Sequence, residues 1–269
     1  MKTIIKNISK LYTPVSGKPY GYIEGFNDVS VLIENSKIVS ILRNGENTTG
    51  VNDIIDANGS TALPGFVDAH THPIFWKTRE DEFIMRIQGK SYEEIAQAGG
   101  GIRNSVRRFR DAEKEQIKKV TRDRIGKFLE YGTTTIEAKS GYGLSTDDEI
   151  KSLEIIDELN HEQPLDLIPT FLGAHEVPDE YQDRRTEYVD LIVNEMIPLV
   201  ARRKLAKFCD VFCEEGVFTV EESRRIFKAA QVYGIKSRVH ADELQGTGGA
   251  EMAADVGAIT ADHLVKVSD

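Results

Sequence analysis

A chain of 269 residues, 40% of them hydrophobic, is long enough to bury one or two substantial cores. Its formal net charge of −10 argues against nucleic acid or an anionic membrane as partner, since both need concentrated Lys and Arg. No stretch approaches the roughly 18 apolar residues of a membrane span, and Lys2, Lys6 and Lys10 interrupt the N-terminus where a secretory signal needs an apolar core, so a cytoplasmic protein is expected.

Residues 1–60 read as short strands and turns: KTIIKNISKLYT, VSVLIENSKIVSILRNG and DIIDANGSTAL, with Asn35-Ser36 and Asn44-Gly45 as turn residues. This pattern predicts a small antiparallel β domain over residues 1–61. From residue 62 onward apolar runs alternate with helical stretches, as parallel βα units require. Strands are expected at 62–70, 132–139, 165–174, 209–214, 235–242 and 258–264.

Between the first two of these, RNSVRRFRDAEKEQIKKVTRDR mixes both charge signs. Its Val106, Phe109, Ile117, Val120, Ile125, Phe128 and Leu129 recur at helical spacing, which predicts an amphipathic helix pair with a solvated charged face. Thr146 with Glu149, and later Thr219 with Glu222, have capping-box spacing, and Gly234 sits where the second of these helices would stop. Cys209 and Cys213, four residues apart on a strand, are too distant to bridge and are expected as buried thiols.

Six strand–helix steps in one direction, with chemistry-bearing residues at the strands' C-terminal ends, predict an α/β fold of the (β/α)8 TIM-like type over residues 62–269. A whole barrel takes about 250 residues, so about six βα units are expected and the last strands fall outside the chain.

Five of the six histidines, His70, His72, His175, His240 and His263, lie at or just past a predicted strand's C-terminal end. His70 and His72, two residues apart, project from one face of an extended segment, as two ligands of one metal ion must. His240 supplies a third imidazole from across the barrel. Neutral imidazoles suit Zn or Fe, and three of them leave room for a carboxylate and a water. Gly99 to Gly101 suggest a backbone that approaches or moves over a ligand. Gly246, Gly248 and Gly249 stand between a strand and a helix, but not at G-x-G-x-x-G spacing, so no nucleotide is expected.

LPGFVDAHTH resembles the first-strand signature of the amidohydrolase superfamily. HTHPIFWKTRE, AGGGIRNSV, EAKSGYGL, FLGAHEVP, DVFCEEGVF and VHADELQGTGGAEMAADVGAITADHL narrow the resemblance to the imidazolonepropionase family, over residues 62–264. The resemblance implies that residues 1–61 are part of a composite β-sandwich and that His70, His72 and His240 hold one Zn or Fe ion. It also implies an Asp ligand from a strand beyond the chain. No second metal is implied, because strand four ends in Glu214-Glu215 rather than in a lysine.

The implied reaction is hydrolysis of the cyclic amide of 4-imidazolone-5-propanoate to N-formimidoyl-L-glutamate, in histidine degradation. Glu243, three residues past His240, is the implied catalytic base, with Asp242 less favoured and Asp68 structural. His263 orients or polarises the carbonyl or the attacking water. Arg79, seven residues past His72, would clamp the propanoate. Tyr142 and His175, together with Glu243, would bind the ring and its chain. The expected partner is this small molecule, with a homodimer as the default assembly. The alternatives are a related amidohydrolase, such as a deaminase or another cyclic amidase, and an inactive fragment lacking the last metal ligand.

Overall fold

The computed structural model describes residues 1–269 apart from positions 16, 19, 20, 44, 47, 48, 92, 93, 96–99 and 269. The chain divides into two compact units, Met1–Gly65 and Phe66–Asp269.

The first unit is one sheet of β1 (Lys2–Pro14), β2 (Ile23–Glu34), β3 (Lys37–Arg43), β4 (Asp53–Asp56) and β5 (Thr61–Ala62). β1, β2 and β3 pair antiparallel, but β4 and β5 run parallel to β1. The sheet is therefore mixed, where an antiparallel unit was expected. Asn35 and Ser36 join β2 to β3 with φ of 50° and 62°, the left-handed conformations that a two-residue hairpin turn requires. The other expected turn starts at Asn44, outside the described residues. Ile8 and Leu11 of β1 pack with Val29 and Val31 of β2 as a small core.

The second unit is built on an all-parallel sheet of β6 (Phe66–Asp68), β7 (Thr133–Lys139), β8 (Asp166–Ala174), β9 (Phe208–Cys213), β10 (Lys236–Ala241) and β11 (Thr260–His263), in sequential order. Its first strand is shorter than the expected 62–70. Thr61–Ala62 pair with β1 instead, and Pro64 and Gly65 interrupt the ladder, because proline lacks the N–H that pairing needs.

Helices Gly101–Arg110 and Lys114–Glu130 bury Val106, Phe109, Ile117 and Ile125 and turn most of their charges outward. Helix Thr146–Glu162 is capped by Ser145, whose hydroxyl accepts the Asp148 N–H, and not by Thr146. Glu149 makes no capping box there; its carboxylate accepts the N–H groups of Gly141, Gly143 and Leu144. Helix Val220–Val232 does carry the Thr219–Glu222 capping box. The apolar faces of these helices join Ile136, Phe171, Val211 and Val239 of the sheet in one core, which also encloses the free thiols Cys209 and Cys213. Among the described residues no helix is long and apolar enough to cross a membrane.

Two of these helices are laced together by charge. Lys114 lies 2.7 Å from both Glu154 and Glu158, and Lys118 lies 2.6 Å from Glu158 and 2.7 Å from Glu162. Hydrogen bonds from Lys114 and Lys118 hold the Glu158 carboxyl below its ordinary value, and those from Lys118 and Arg122 do the same for Glu162. Since the folded values are the lowered ones, the stabilisation is complete above the ordinary glutamate range and is lost as pH falls through the folded values. The urea midpoint is therefore expected to drop as pH falls through and below the ordinary glutamate range, and Glu158→Gln to shrink that drop. The effect is small and salt-sensitive because the pairs face solvent, and an identical drop in the variant would remove Glu158 as its source.

Candidate metal centre

Period-two alternation puts Glu137 and Lys139 of β7, Asp210 and Phe212 of β9, and Arg238 and His240 of β10 on one face of the sheet. In a flat sheet with strands about 4.8 Å apart, β6 and β11 would stand roughly 24 Å from one another. Yet Nδ1 of His70, just past β6, lies 2.8 Å from Asp262 Oδ2 on β11. Arg238 of β10 likewise donates to the Ala69 carbonyl at 2.9 Å. The sheet is therefore curled around its charged face, and strand ends from both edges meet over it.

At that meeting point the imidazoles of His70, His72 and His240 converge. His72 Nε2 is 3.3 Å from His70 Nε2 and 3.2 Å from His240 Nε2. The other nitrogens of two of these rings face carboxylates: His70 Nδ1 that of Asp262, and His240 Nδ1 that of Asp210 at 3.0 Å. A carboxylate that accepts from Nδ1–H fixes the tautomer and leaves Nε2 as a lone pair. Burial, with His175 and His240 packed beside it, holds His72 well below the usual histidine value, so its ring is neutral. Lone pairs facing at such distances repel unless a cation lies between them. Tetrahedral zinc, with Zn–N of about 2.0–2.1 Å, separates its ligand nitrogens by about 3.3–3.4 Å. The three residues thus fit a metal ion and could hold one.

Below the imidazoles lies a buried charge network. Lys139 Nζ is 2.5 Å from Asp210 Oδ2, 2.8 Å from Glu137 Oε2 and 3.8 Å from Asp262 Oδ2. Arg238 reaches Glu137 at 3.2 Å. Burial alone would raise the Asp210 carboxyl, but His240 and Lys139 beside it outweigh burial and hold it well below the usual range. A second set of ligand atoms, from His70, Glu137 and Asp262, is also close enough for a cation, but Lys139 and Arg238 already neutralise its carboxylates.

His263, with φ of 74°, places its ring 5.0 Å from that of His70 and 5.2 Å from that of His240. Its Nε2 is 3.5 Å from Glu243 Oε2. The loop bearing Glu243 is moored by buried Glu214, whose carboxylate accepts the N–H groups of Glu243, Leu244 and Gln245. Asp242 accepts those of Thr247, Gly248, Gly249 and Ala250. The glycine-rich turn therefore closes on an internal carboxylate that occupies the donors a phosphate would need.

His175 stacks on His72 at 5.1 Å and donates Nδ1–H to the Gly141 carbonyl at 2.9 Å. Burial, then His240, push it down to about 3. Tyr142 lies 5.3 Å from His175 and 6.3 Å from His72, ring to ring, on the loop that Glu149 holds. Asp68 accepts the His70 backbone N–H at 3.3 Å.

Arg79 is placed differently. It precedes helix Glu80–Ile87 and pairs with Glu82 at 3.5 Å; among the described residues it makes no ion pair with the histidine group. Gly99 lies outside the described residues, and Gly100 admits Ile95, which a Cβ would meet at 2.8 Å, so its close approach serves packing rather than a ligand.

Sequence reasoning missed Lys139, Asp210, Asp262 and Glu214. A signal existed: charges two residues apart in buried parallel strands, as in Glu137 and Lys139, demand internal partners. Arg124 gave none. It donates to the carbonyls of Pro73 and Phe75 and covers the Phe75 ring at 3.4 Å, fixing the loop that follows His72, and its burial pushes it down to about 10.

No family model matches the chain. It is 43% identical to the imidazolonepropionase of Alkaliphilus metalliredigens, over 99% of this chain and 65% of that protein. It is 53% identical to that of Solibacter usitatus, over 80% of this chain and 51% of that protein. Among solved structures, 5-methylcytosine deaminase from Klebsiella pneumoniae, liganded with phosphonocytosine, superposes with a TM-score of 0.65 at 19% identity, over 95% of this chain and 55% of that one; this likeness speaks for the fold alone. Along nearly its whole length the chain is thus similar to imidazolonepropionases, at 43% identity, and it spans 65% of the length of the Alkaliphilus relative.

Proposed function

We propose that this chain carries the catalytic centre that hydrolyses the cyclic amide of 4-imidazolone-5-propanoate to N-formimidoyl-L-glutamate, a cytoplasmic step of histidine degradation, with one Zn or Fe ion on His70, His72 and His240. The observation that carries the reading is the convergence of three Nε2 atoms at 3.2 and 3.3 Å in a chain related to imidazolonepropionases. In this reading the curled six-stranded sheet is the larger part of a (β/α)8 barrel, and the N-terminal sheet belongs to a composite sandwich.

An ion held there supplies an acidified water and a Lewis acid for the ring carbonyl. Glu243 takes the proton of the attacking water and returns it to the departing ring nitrogen, a role that needs a carboxylate within hydrogen-bond reach of both. His263, 3.5 Å from Glu243, orients that carboxylate and the carbonyl. His175, neutral and tied to Gly141 through Nδ1–H, offers Nε2 as an acceptor to the ring, and the Tyr142 hydroxyl adds a hydrogen bond. Arg79 takes the propanoate carboxylate in place of Glu82.

Metal analysis beside an ultraviolet assay of imidazolone loss tests the reading. One ion per chain with chelator-sensitive turnover is expected. Turnover that survives complete metal removal would overturn the metal's role. Ammonia release from a cytosine or guanine ring without imidazolone loss would assign the centre to a deaminase.

A further inference from the structure

Lys139 takes no part in the chemistry above, yet its side chain is 0% exposed. A buried ammonium is tolerated only where carboxylates surround it, and here two of the three are the ones that hold the imidazoles. Asp210 receives Lys139 at 2.5 Å on Oδ2 and stands 3.1 Å from His240 Nδ1 through Oδ1. Asp262 has the same Oδ2 2.8 Å from His70 Nδ1 and 3.8 Å from Lys139. The third carboxylate, Glu137, forms ion pairs with Lys139 and Arg238 and accepts from the Thr170 hydroxyl. One ammonium on β7 thus links the two carboxylates, on β9 and β11, that aim imidazoles from β10 and from the end of β6.

We propose that Lys139 is a positioning residue of the metal centre: a fixed cation that keeps Asp210 and Asp262 turned so that Nε2 of His240 and of His70 point at one spot. The inference rests on the metal reading of the three histidines. Without the ammonium, the buried carboxylates of Glu137 and Asp210 and the half-buried one of Asp262 lose their shared cation, and Arg238, which pairs with Glu137, stands 3.9 Å from Asp262. Repulsion then turns Asp210 and Asp262 away from one another and swings the imidazoles with them. Charge balance by itself does not explain the arrangement, since Arg238 and Lys139 together still leave one negative charge among Glu137, Asp210 and Asp262.

The test titrates the metal-free chain with Zn2+ against a chromophoric chelator, and with Co2+, whose visible absorption reports tetrahedral geometry. Lys139→Met is expected to bind Zn2+ about 10–100-fold more weakly than the unaltered chain, the usual cost of losing a partner that orients the ligands. Its Co2+ bands should weaken as well. Because the single variant leaves excess buried negative charge that opposes folding, Lys139→Met/Glu137→Gln removes one charge of each sign and leaves Asp210 and Asp262 intact. Thermal unfolding near that of the unaltered chain, with Zn2+ affinity still lowered, is the expected outcome. Undiminished affinity in the single variant, or its full recovery in the double one, would reduce Lys139 to a counterion for folding and overturn the proposal. An unaltered chain that takes up neither Zn2+ nor Co2+ would overturn the metal reading and this inference with it.

Discussion

His240→Ala is expected to leave the chain without stoichiometric metal and without imidazolone hydrolysis. His240 is the only one of the three converging imidazoles supplied by β10, and its Nε2 lies 3.2 Å from that of His72. Removing it leaves two ligands from a single short segment, His70 and His72, which cannot enclose an ion from opposite sides. Metal affinity should fall further than the about 10–100-fold that the loss of an orienting partner costs. The buried cavity, together with an Asp210 carboxylate left without its imidazole partner, should lower stability by roughly 1–3 kcal/mol, within the range of a single core change. Circular dichroism at a temperature well below unfolding would separate the two effects. A folded His240→Ala chain that keeps one ion would overturn the ligand assignment.

Glu243→Gln is expected to lower kcat by about 10²–10⁴-fold, the range for loss of a general base, with metal content unchanged. The side chain contacts His263 at 3.5 Å and takes no part in the Nε2 cluster, so the amide should leave the ion in place. Nor should the loop move, because Glu214 holds it through backbone N–H groups that the substitution leaves intact. A fall of less than about 10-fold would place the base elsewhere. Asp242 is a poor substitute, since four backbone N–H groups already bind its carboxylate and stabilise its charge.

The strands at 132–139, 165–174, 209–214, 235–242 and 258–264 were legible because each is a short run containing β-branched or apolar residues that alternates with a helical stretch. The first was not. An apolar stretch from residue 62 onward says nothing about its pairing partner, and Thr61–Ala62 pair with β1 while Phe66–Asp68 pair with β7. Capping was half legible. Thr219 and Glu222 close a true capping box, but Ser145 displaces Thr146 by one position, and Glu149 turns to three N–H groups of the preceding loop.

Taken by itself, the sequence determined the histidines and their strand-end positions, because a period of two along a strand is a local property. It also determined the helix faces, through spacing that chain neighbours impose on one another. Only the tertiary structure decided that Lys139, Asp210 and Asp262 form one network beneath the imidazoles. Those contacts depend on how far the sheet curls. Curling brings residues nearly 200 positions apart, His70 and Asp262, to within 2.8 Å, and no local pattern encodes a distance of that kind.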